Sequence, residues 1–576
     1  MWQWSGTNVR FSVLLFVLVG CAAPAAPGGA VPRDAPPAPA QVGIPKRIVV
    51  SVTTELPSLR AQTNRAAGGI LAGAPELEQL TNAGLAIADD RSQLRPQLAE
   101  AVPSVENGLW RVFPDGRMET TWKLREGIVW HDGAPYTAED LVFTAMVIMD
   151  PELPAFRKVA FDSIESTQAL DSRTFVIRWQ RPFIEADQTF SAAGALPALP
   201  MPRHLLEPGY RENKASFGDS VYFGEEFVGA GPYKLREWQR GSHVVLDAND
   251  RYVFGRPKID VVEVRFIPDP TTMVANLLAG AVDQPIGRGV GFEQGLLLRD
   301  QWRDGRVEFA PGSGIKIWPQ LLYPNPQIIG DVRFRRAAYH AIDRQQLADT
   351  LVAGQADVAH TIVTPGDAEY PEIVGRVVKY EYDPRRTAQL LEELGYTRGA
   401  DGRYRDAAGQ PLVIEFRSSP MDILRKTKLA VADNWQSAGI GVTVLEDSPQ
   451  QRGDNQYRAT FPGFDISRAT SGAESFQTFR SSEARTVQTR YFGENSSNYM
   501  NPEFDALVDR YLTTIPWADR MRVAGDIVHH MTDQVLVMDQ FYDATPTAVA
   551  KRIANVSTRA ARRGTTTWNA HEWDIQ

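Results

Sequence analysis

Apolar and polar positions follow strand periodicity in two stretches of the chain. The run RIVVSV, directly after Lys46, is short and rich in β-branched residues, which is typical of a buried strand. In VVEVRFIPDP, Val262, Val264 and Phe266 face one way and alternate with charged residues, which predicts a half-buried strand before a Pro-Asp-Pro turn. The next stretch, TTMVANLLAG, lacks this alternation and predicts a helix that ends at Gly280.

Helix boundaries are clear further along the chain. Asp383 is a good N-cap, Pro384 suits the first helical position, and Gly395 provides a left-handed end to the helix EYDPRRTAQLLEELGY. Asn501 and Pro502 repeat the arrangement in NPEFDALVDRYL, whose apolar residues form one stripe at helical spacing. Mixed helices and strands without an internal repeat indicate an α/β protein.

The stretch LREGIVWHDGAPYTAEDLVF combines a helix start with a possible reaction centre. Thr137 can cap a helix with Asp140 at the capping-box position, and the helix that follows is almost entirely apolar, so we expect it to be buried. Just before it, His131 stands beside Asp132. Such a pair occurs in catalytic and metal sites, but also in a plain turn between a strand and a helix.

No second motif supports catalysis or metal binding. The chain has no H-E-x-x-H, no G-x-S-x-G and no P-loop, and its single cysteine cannot build a cysteine-based metal site. With 70 acidic residues, neighbouring carboxylates carry little information. The sequence therefore predicts no catalytic residue, no metal ligand and no cofactor, and it favours the turn for His131.

Length and charge limit the class of protein. At 576 residues the chain exceeds the roughly 250 to 300 residues that one core supports, so we expect two or more domains. The formal net charge is −9, and no Lys- and Arg-rich run occurs. A nucleic acid is therefore not expected as a partner.

The N-terminus has the layout of a signal peptide. Arg10 precedes the apolar run FSVLLFVLVG, and LVGC, which ends at Cys21, resembles the bacterial lipobox. We expect a signal peptide over residues 1–20, lipid on Cys21 and an Ala/Pro/Gly-rich tether over 21–45. The body would then be extracytoplasmic and anchored to a bacterial membrane, in the periplasm or at the cell surface. The alternative is an unmodified cysteine after an ordinary apolar run.

Six blocks of the chain resemble, in order, the motifs of family 5 extracellular solute-binding proteins, the dipeptide- and oligopeptide-binding components of ABC importers. The blocks are WKLREGIVWHDGAPYTAEDLVF, FVGAGPYKLREW, DPTTMVANLLAGAVD, DVRFRRAAYHAIDRQQL, YDPRRTAQLLEELGY with DGRYRDAAGQPLVIEF, and NYMNPEFDALVD. They extend from about residue 46 to the C-terminus. In this family the W-H-D-G turn is structural and lies away from the ligand.

The resemblance implies a type II periplasmic-binding-protein fold, with two α/β lobes, a hinge and an extra inserted subdomain. We expect residues 46–82, 205–320 and 535–576 to form lobe I, residues 83–204 to form its inserted subdomain, and residues 321–534 to form lobe II. The ligand would lie between the lobes and close them.

The function implied by the resemblance is capture of a peptide or related organic solute and its delivery to an ABC permease and its ATPases. The chain would act as a monomer and would not be an enzyme. A sensor or receptor, or an extracytoplasmic enzyme on the same scaffold, is the alternative, because one fold can host different functions.

Peptide-binding members resemble one another around R-x-x-W-x-x-D, where the Asp pairs with the α-amino group of the peptide. In YRATFPGFDISRATSGAESF, Arg458 fits the Arg and Phe461 fits the Trp, but Phe464 falls at the Asp and Asp465 is displaced by one residue. One residue along a strand changes the face, so Phe464 would offer the ligand an apolar or stacking surface. A one-residue gap would restore Asp465, Arg458 could instead form an interlobe ion pair, and the whole stretch could be a loop that only passes near the site.

Overall fold

The computed structural model describes residues 45–576 except 67–68, 154, 157–160, 162, 194–197, 288, 470, 492 and 559–564. The predicted signal peptide, Cys21 and the tether up to residue 44 lie outside the described residues. Among the described residues, no helix is both long enough and apolar enough to cross a bilayer.

The strands of the described residues are, in chain order, β1 Arg47–Val52, β2 Arg65–Ala66, β3 Gly69–Ile70, β4 Ala86–Ala88, β5 Leu94–Pro96, β6 Trp110–Val112, β7 Met118–Lys123, β8 Ile164–Ala169, β9 Thr174–Trp179, β10 Tyr233–Gln239, β11 His243–Ala248, β12 Val261–Phe266, β13 Gln284–Pro285, β14 Gly305–Pro319, β15 Thr397–Arg398, β16 Tyr404–Arg405, β17 Val413–Ser418, β18 Gly441–Glu446, β19 Phe464–Ala469, β20 Met538–Ala550, β21 Ile553–Ala554 and β22 Asp574–Ile575.

The α-helices of the described residues are α1 Ala74–Thr81, α2 Ala138–Met149, α3 Arg203–Glu212, α4 Pro270–Leu278, α5 Phe292–Gln301, α6 Val332–His340, α7 Arg344–Leu351, α8 Tyr370–Ile373, α9 Pro384–Glu393, α10 Asp422–Ser437, α11 Pro449–Gly453, α12 Asn455–Ala459, α13 Pro502–Thr513 and α14 Trp517–Asp533. Most of the predicted helix starts are among them. Asp383 and Asn501 accept hydrogen bonds from the first-turn amides of α9 and α13, and Thr137 forms a capping box with Asp140. These predicted caps are confirmed.

The first lobe is built on the sheet β10-β11-β12-β1-β13, in which β1 runs parallel to β12 and β13. Val50, Val52, Val262 and Val264 are fully buried in its core, so both predicted strands are confirmed. The helix α4 covers this core through Met273 and begins at the N-cap Asp269.

A separate antiparallel sheet, β6-β7-β9-β8, lies between β5 and α3 in the chain. Its core contains fully buried Trp122 and the inner face of α2, including Leu141. This sheet lies within residues 83–204, and α2 is buried because almost all of its side chains are apolar.

The second lobe is built on the sheet β18-β17-β19-β14-β20, in which β17 is parallel to both β18 and β19 and β14 is antiparallel to β19. One face of this sheet packs against α10 through Trp435 and against α6 through Phe334. The opposite face carries Trp318, which packs with α13 and α14.

The long strands β14 and β20 connect the two lobes. Residues 305–311 pair with 544–550, and after an irregularity residues 314–317 pair with 538–542. Ala548 and Ala550 belong to the core of the first lobe, whereas Ile315 and Met538 belong to that of the second. The predicted segmentation placed both strands in lobe I, whereas the two lobes share them here. The exact segmentation remains a prediction.

Candidate ligand-binding site

The direction of the strands shows which edge of the second sheet faces the first lobe. Ala469, the last residue of β19, pairs with Gly314, where β14 arrives from the first lobe. Because β17 and β18 run parallel to β19, their carboxyl ends point toward the same edge. Ligands of open α/β sheets bind beyond the carboxyl ends of the strands. The residues that follow Ser418, Glu446 and Ala469 are therefore the candidate site.

Phe464 does not lie at this edge. It is the first residue of β19, has no exposed surface, and packs against Phe416 and Trp435 in the core. The expectation that Phe464 offers a stacking surface to the ligand is therefore corrected, because its face of the strand meets α10. The predicted alternation is present, since Asp465 lies on the other face, beside Arg417.

Asp465 is engaged in an ion-pair network. Both of its carboxylate oxygens accept hydrogen bonds from Arg452, at 2.9 and 2.6 Å. Arg452 also places its Nε 2.8 Å from a carboxylate oxygen of Asp447, the residue after β18. Burial acts to lower the pKa of Arg452, but the nearby carboxylates, Asp465 before Asp447, act against it and the pKa is raised. The Asp465 carboxylate is therefore already paired with a cation of its own lobe.

Arg417 organises the chain segment above this network. Its guanidinium lies 4.7 Å from the ring centres of both Tyr457 and Phe461. It donates hydrogen bonds to the backbone oxygens of Tyr457 and Arg458, at 3.1 and 3.2 Å. Since Phe461 is also only 2% exposed, its ring serves packing and holds α12 against the sheet.

Arg458 is half-buried, as is Arg485, which comes from a loop 27 residues further along. Arg485 donates hydrogen bonds to the backbone oxygen of Gly493 and the hydroxyl of Ser496, at 2.9 and 3.2 Å. Burial, together with the positive charge of Arg458, lowers the pKa of Arg485 to about 10. The structure thus brings two cations together.

A second polar group lies where β19 ends. Arg468 pairs with Asp543 of β20 at 2.7 Å, and Lys316 donates to the hydroxyl of Ser471 at 2.8 Å. The family spacing R-x-x-W-x-x-D fits this segment as well, with Arg468, Ser471 and Glu474 at the three positions. Sequence reasoning missed this alternative, although the spacing alone could have indicated it.

The W-H-D-G turn contains a half-buried histidine, and both of its ring nitrogens contact backbone atoms. Nδ1 of His131 accepts from the amide of Gly229 at 3.2 Å, and Nε2 lies 3.0 Å from the oxygen of Gly231. Burial lowers the pKa of His131 to about 4. A neutral ring with its proton on Nε2 satisfies both contacts, and this is a structural role. Among the residues that the structure describes, no three or more His, Cys, Asp or Glu side chains are grouped to hold a metal ion.

The chain has two α/β lobes joined by two long strands, and polar groups lie at the carboxyl ends of β17, β18 and β19. This architecture defines the two-lobed type II periplasmic-binding-protein class. The chain matches the family described as bacterial extracellular solute-binding proteins, family 5 Middle, over residues 93–486. It belongs to this family, and both the recognised family and the predicted fold are confirmed.

The names of individual relatives mention different ligands. Oligopeptide-binding protein AppA of Bacillus subtilis is 23% identical over 371 residues, 64% of each chain. Heme-binding protein A of Haemophilus influenzae is 23% identical over 380 residues, 63% of this chain and 64% of the relative. This chain therefore aligns with slightly less than two thirds of the length of these curated relatives. The solved structure of NikA from Brucella suis in complex with Fe(III)-EDTA has a TM-score of 0.73 at 18% identity and covers 92% of this chain and 100% of its own.

Proposed function

We propose that this protein is an extracytoplasmic solute-binding component of an ABC importer. It captures a peptide or related organic solute between its two lobes and delivers it to a permease driven by ATPase subunits. It acts as a monomer, and its task is binding rather than catalysis. Membership in family 5 supports this proposal, since the family consists of extracellular solute-binding proteins.

The connection between the lobes is the observation that carries the proposal. Among the described residues, β14 and β20 belong to the sheet of the second lobe, and the end of β20 extends into the core of the first lobe. The pairing of the two strands is interrupted between residues 311 and 314. Two strands with a local irregularity can bend while each sheet stays rigid, which is the geometry of hinge closure. A ligand that contacts both lobes then stabilises the closed form.

The ligand contacts in the second lobe come from the carboxyl ends of its strands. We place Arg458 near the ligand, as predicted, and add the group at Arg468, Ser471 and Glu474. Asp465 serves the lobe itself, since Arg452 already occupies both of its carboxylate oxygens. Glu474 follows Arg468 at the spacing at which the Asp follows the Arg in R-x-x-W-x-x-D, so its carboxylate is our candidate to bind an amino group of the solute.

The N-terminal sequence supports anchoring by lipid. In this proposal residues 1–20 are removed as a signal peptide, Cys21 is lipidated, and the tether up to residue 45 holds the lobes away from the membrane. Cys21→Ser should release the mature protein from the membrane fraction of the expressing cells. Retention of the variant in that fraction would argue against lipidation.

A thermal-shift screen of residues 45–576 tests solute binding. The panel contains di- and tripeptides, oligosaccharides, opines, haem and metal chelates, each at a high concentration. A ligand at 100 times its dissociation constant adds about 2.7 kcal/mol of stability, which raises the melting temperature measurably. A shift with one class of compound supports the proposal and identifies the solute class. Conversion of any compound by the purified protein would instead favour an enzyme.

A further inference from the structure

The antiparallel sheet β6-β7-β9-β8, here named the peripheral sheet, is attached to the first lobe through α2. Phe143 and Val147 of this helix lie in the core of the first lobe, whereas Leu141 and Ile148 lie in the core of the peripheral sheet. Because one helix takes part in both cores, and packed cores deform little, we expect the peripheral sheet to move with the first lobe.

A loop of the second lobe places one isoleucine against the peripheral sheet. Ile515 lies between α13 and α14 and is 9% exposed, although the adjoining Pro516 and Trp517 are exposed. It belongs to the apolar cluster of the peripheral sheet, which contains Trp179 and Ala186. Ile515 is therefore buried by a part of the chain that is attached to the first lobe.

Ile184 makes the reciprocal contact. It follows β9, is half-buried, and packs against two apolar clusters. One is the cluster of the peripheral sheet, and the other is the cluster of the second lobe that contains Trp318 and Val508. Since Ile184 and Ile515 both lie outside β14 and β20, this apolar contact connects the second lobe with the peripheral sheet independently of the connecting strands.

Each side of the contact is held in place by its own part of the chain. Arg520 of α14 donates hydrogen bonds to the backbone oxygens of Thr514 and Ile515, at 3.4 and 3.1 Å. On the other side, Phe183 stacks on Trp179, with ring centres 5.3 Å apart, and so fixes the start of the segment that carries the second isoleucine. Two fixed surfaces of this kind can meet and separate as units during hinge closure.

We propose that Ile515 and Ile184 form an apolar latch that holds the second lobe against the peripheral sheet when the lobes are closed. Opening exposes both side chains to water, which is unfavourable, so the latch favours the closed form. The contact has no hydrogen bond to break, and it can therefore reopen for release of the solute. This inference rests on the proposed function, because closure has a role only if a solute is captured between the lobes.

The reactivity of an introduced thiol measures whether the latch is formed in solution. Residues 45–576 form one compact unit and contain no cysteine, so Ile515→Cys introduces a single thiol. Its rate of alkylation by iodoacetamide is compared with that of Val487→Cys, a position of the second lobe that is 65% exposed. We expect Ile515→Cys to react about tenfold or more slowly, because it reacts only while the latch is open.

A charge on the opposite side should open the latch. Ile184→Asp should raise the alkylation rate of Ile515→Cys about tenfold, toward that of Val487→Cys, because the closed contact would bury a carboxylate in apolar surroundings. The matched control is Leu170→Asp, which adds the same charge at a 57% exposed position directly after β8 and should leave the rate unchanged.

Urea unfolding of each variant separates opening of the latch from unfolding of the protein. Ile184→Ala is the milder second variant, and it should raise the alkylation rate by a smaller factor at an almost unchanged unfolding midpoint. The inference is overturned if Ile515→Cys reacts as fast as Val487→Cys, or if it stays protected in both Ile184 variants.

Failure of the latch can be separated from failure of the proposed function. A compound of the screening panel that binds while Ile515→Cys reacts at the rate of Val487→Cys refutes the latch and supports solute binding. Protection of Ile515→Cys that Ile184→Asp removes, without any binding compound in the panel, supports the latch and leaves the proposed function without its ligand.

Discussion

Arg452 of α11 and Asp465 of β19 meet through two hydrogen bonds, at 2.9 and 2.6 Å, although 13 residues separate them. This pair connects the segment after β18 with the strand next to the lobe connection. The same contact compensates the negative charge of Asp465 within the lobe. The Asp465 carboxylate therefore has a structural role in this lobe.

Asp465→Asn should destabilise the second lobe strongly. It leaves Arg452 and the buried Arg417 with one carboxylate, and loss of one partner of a buried pair costs about 3 kcal/mol. Urea unfolding followed by fluorescence measures the difference. Asp519→Asn is the control, since it breaks an exposed pair with Arg522 and should cost at most about 1 kcal/mol. Equal effects of the two variants would contradict the assigned network.

The ion pair between Lys316 and Asp539 lies across the two connecting strands, at 3.3 Å, and both side chains are almost completely buried. Lys316→Met should cost about 3 kcal/mol, because it leaves Asp539 in the core without its cation. The double variant Lys316→Met/Asp539→Leu should recover most of this loss, because no charge remains buried. Chemical denaturation of the wild type and of both variants measures this coupling. Additive losses would show that the two groups do not interact.

Replacement of Phe464 tests the corrected position of its ring. Phe464→Ala should destabilise the protein by about 3 to 5 kcal/mol, since it leaves a cavity between Phe416 and Trp435. Phe113→Ala removes an exposed ring just after β6 and should have little effect. Thermal unfolding measures the difference. If Phe464→Ala leaves the melting temperature almost unchanged, the ring is not buried in the core.

The half-buried His131 makes the free energy of unfolding depend on pH. In the unfolded chain a histidine protonates near pH 6.5, whereas burial lowers the pKa of His131 to about 4 in the folded protein. Between these values the unfolded state binds more protons, so stability falls as the pH falls. From pH 7.5 to pH 5 the contribution of His131 is about 2 kcal/mol.

The measurement is urea unfolding of the wild type and of His131→Gln at both pH values. The variant should lose less stability than the wild type on acidification. It should retain some pH dependence, because burial also lowers the pKa of His360 to about 4. The same loss in both proteins would show that His131 is accessible to protons in the folded state.

Local patterns were sufficient for the elements and insufficient for the site. Asp383 and Asn501 could be recognised as caps because capping involves only neighbouring residues. The opposite orientations of Phe464 and Asp465 also follow from strand geometry alone. The buried face of Phe464, in contrast, depends on α10, which packs on it from an earlier part of the chain.

The ion pairs around Arg417, unlike the spacing of Arg468, Ser471 and Glu474, were not predictable from the sequence. Arg417 reaches Asp465 because β17 and β19 are parallel neighbours, and Arg485 arrives from a loop after β19. None of these residues belongs to a local motif. Their proximity arises from sheet topology, which a single sequence does not encode in any short pattern.

Closure of the two lobes on a bound solute is the most direct test of the proposed function. The described residues contain no cysteine, so Gln239→Cys in the first lobe and Glu392→Cys in the second, both exposed, can carry a donor and an acceptor dye. Energy transfer is recorded for this variant with each compound of the thermal-shift panel. The proposed function predicts that each compound that raises the melting temperature also shortens the distance between the dyes. An unchanged distance with every such compound would contradict ligand capture between the lobes.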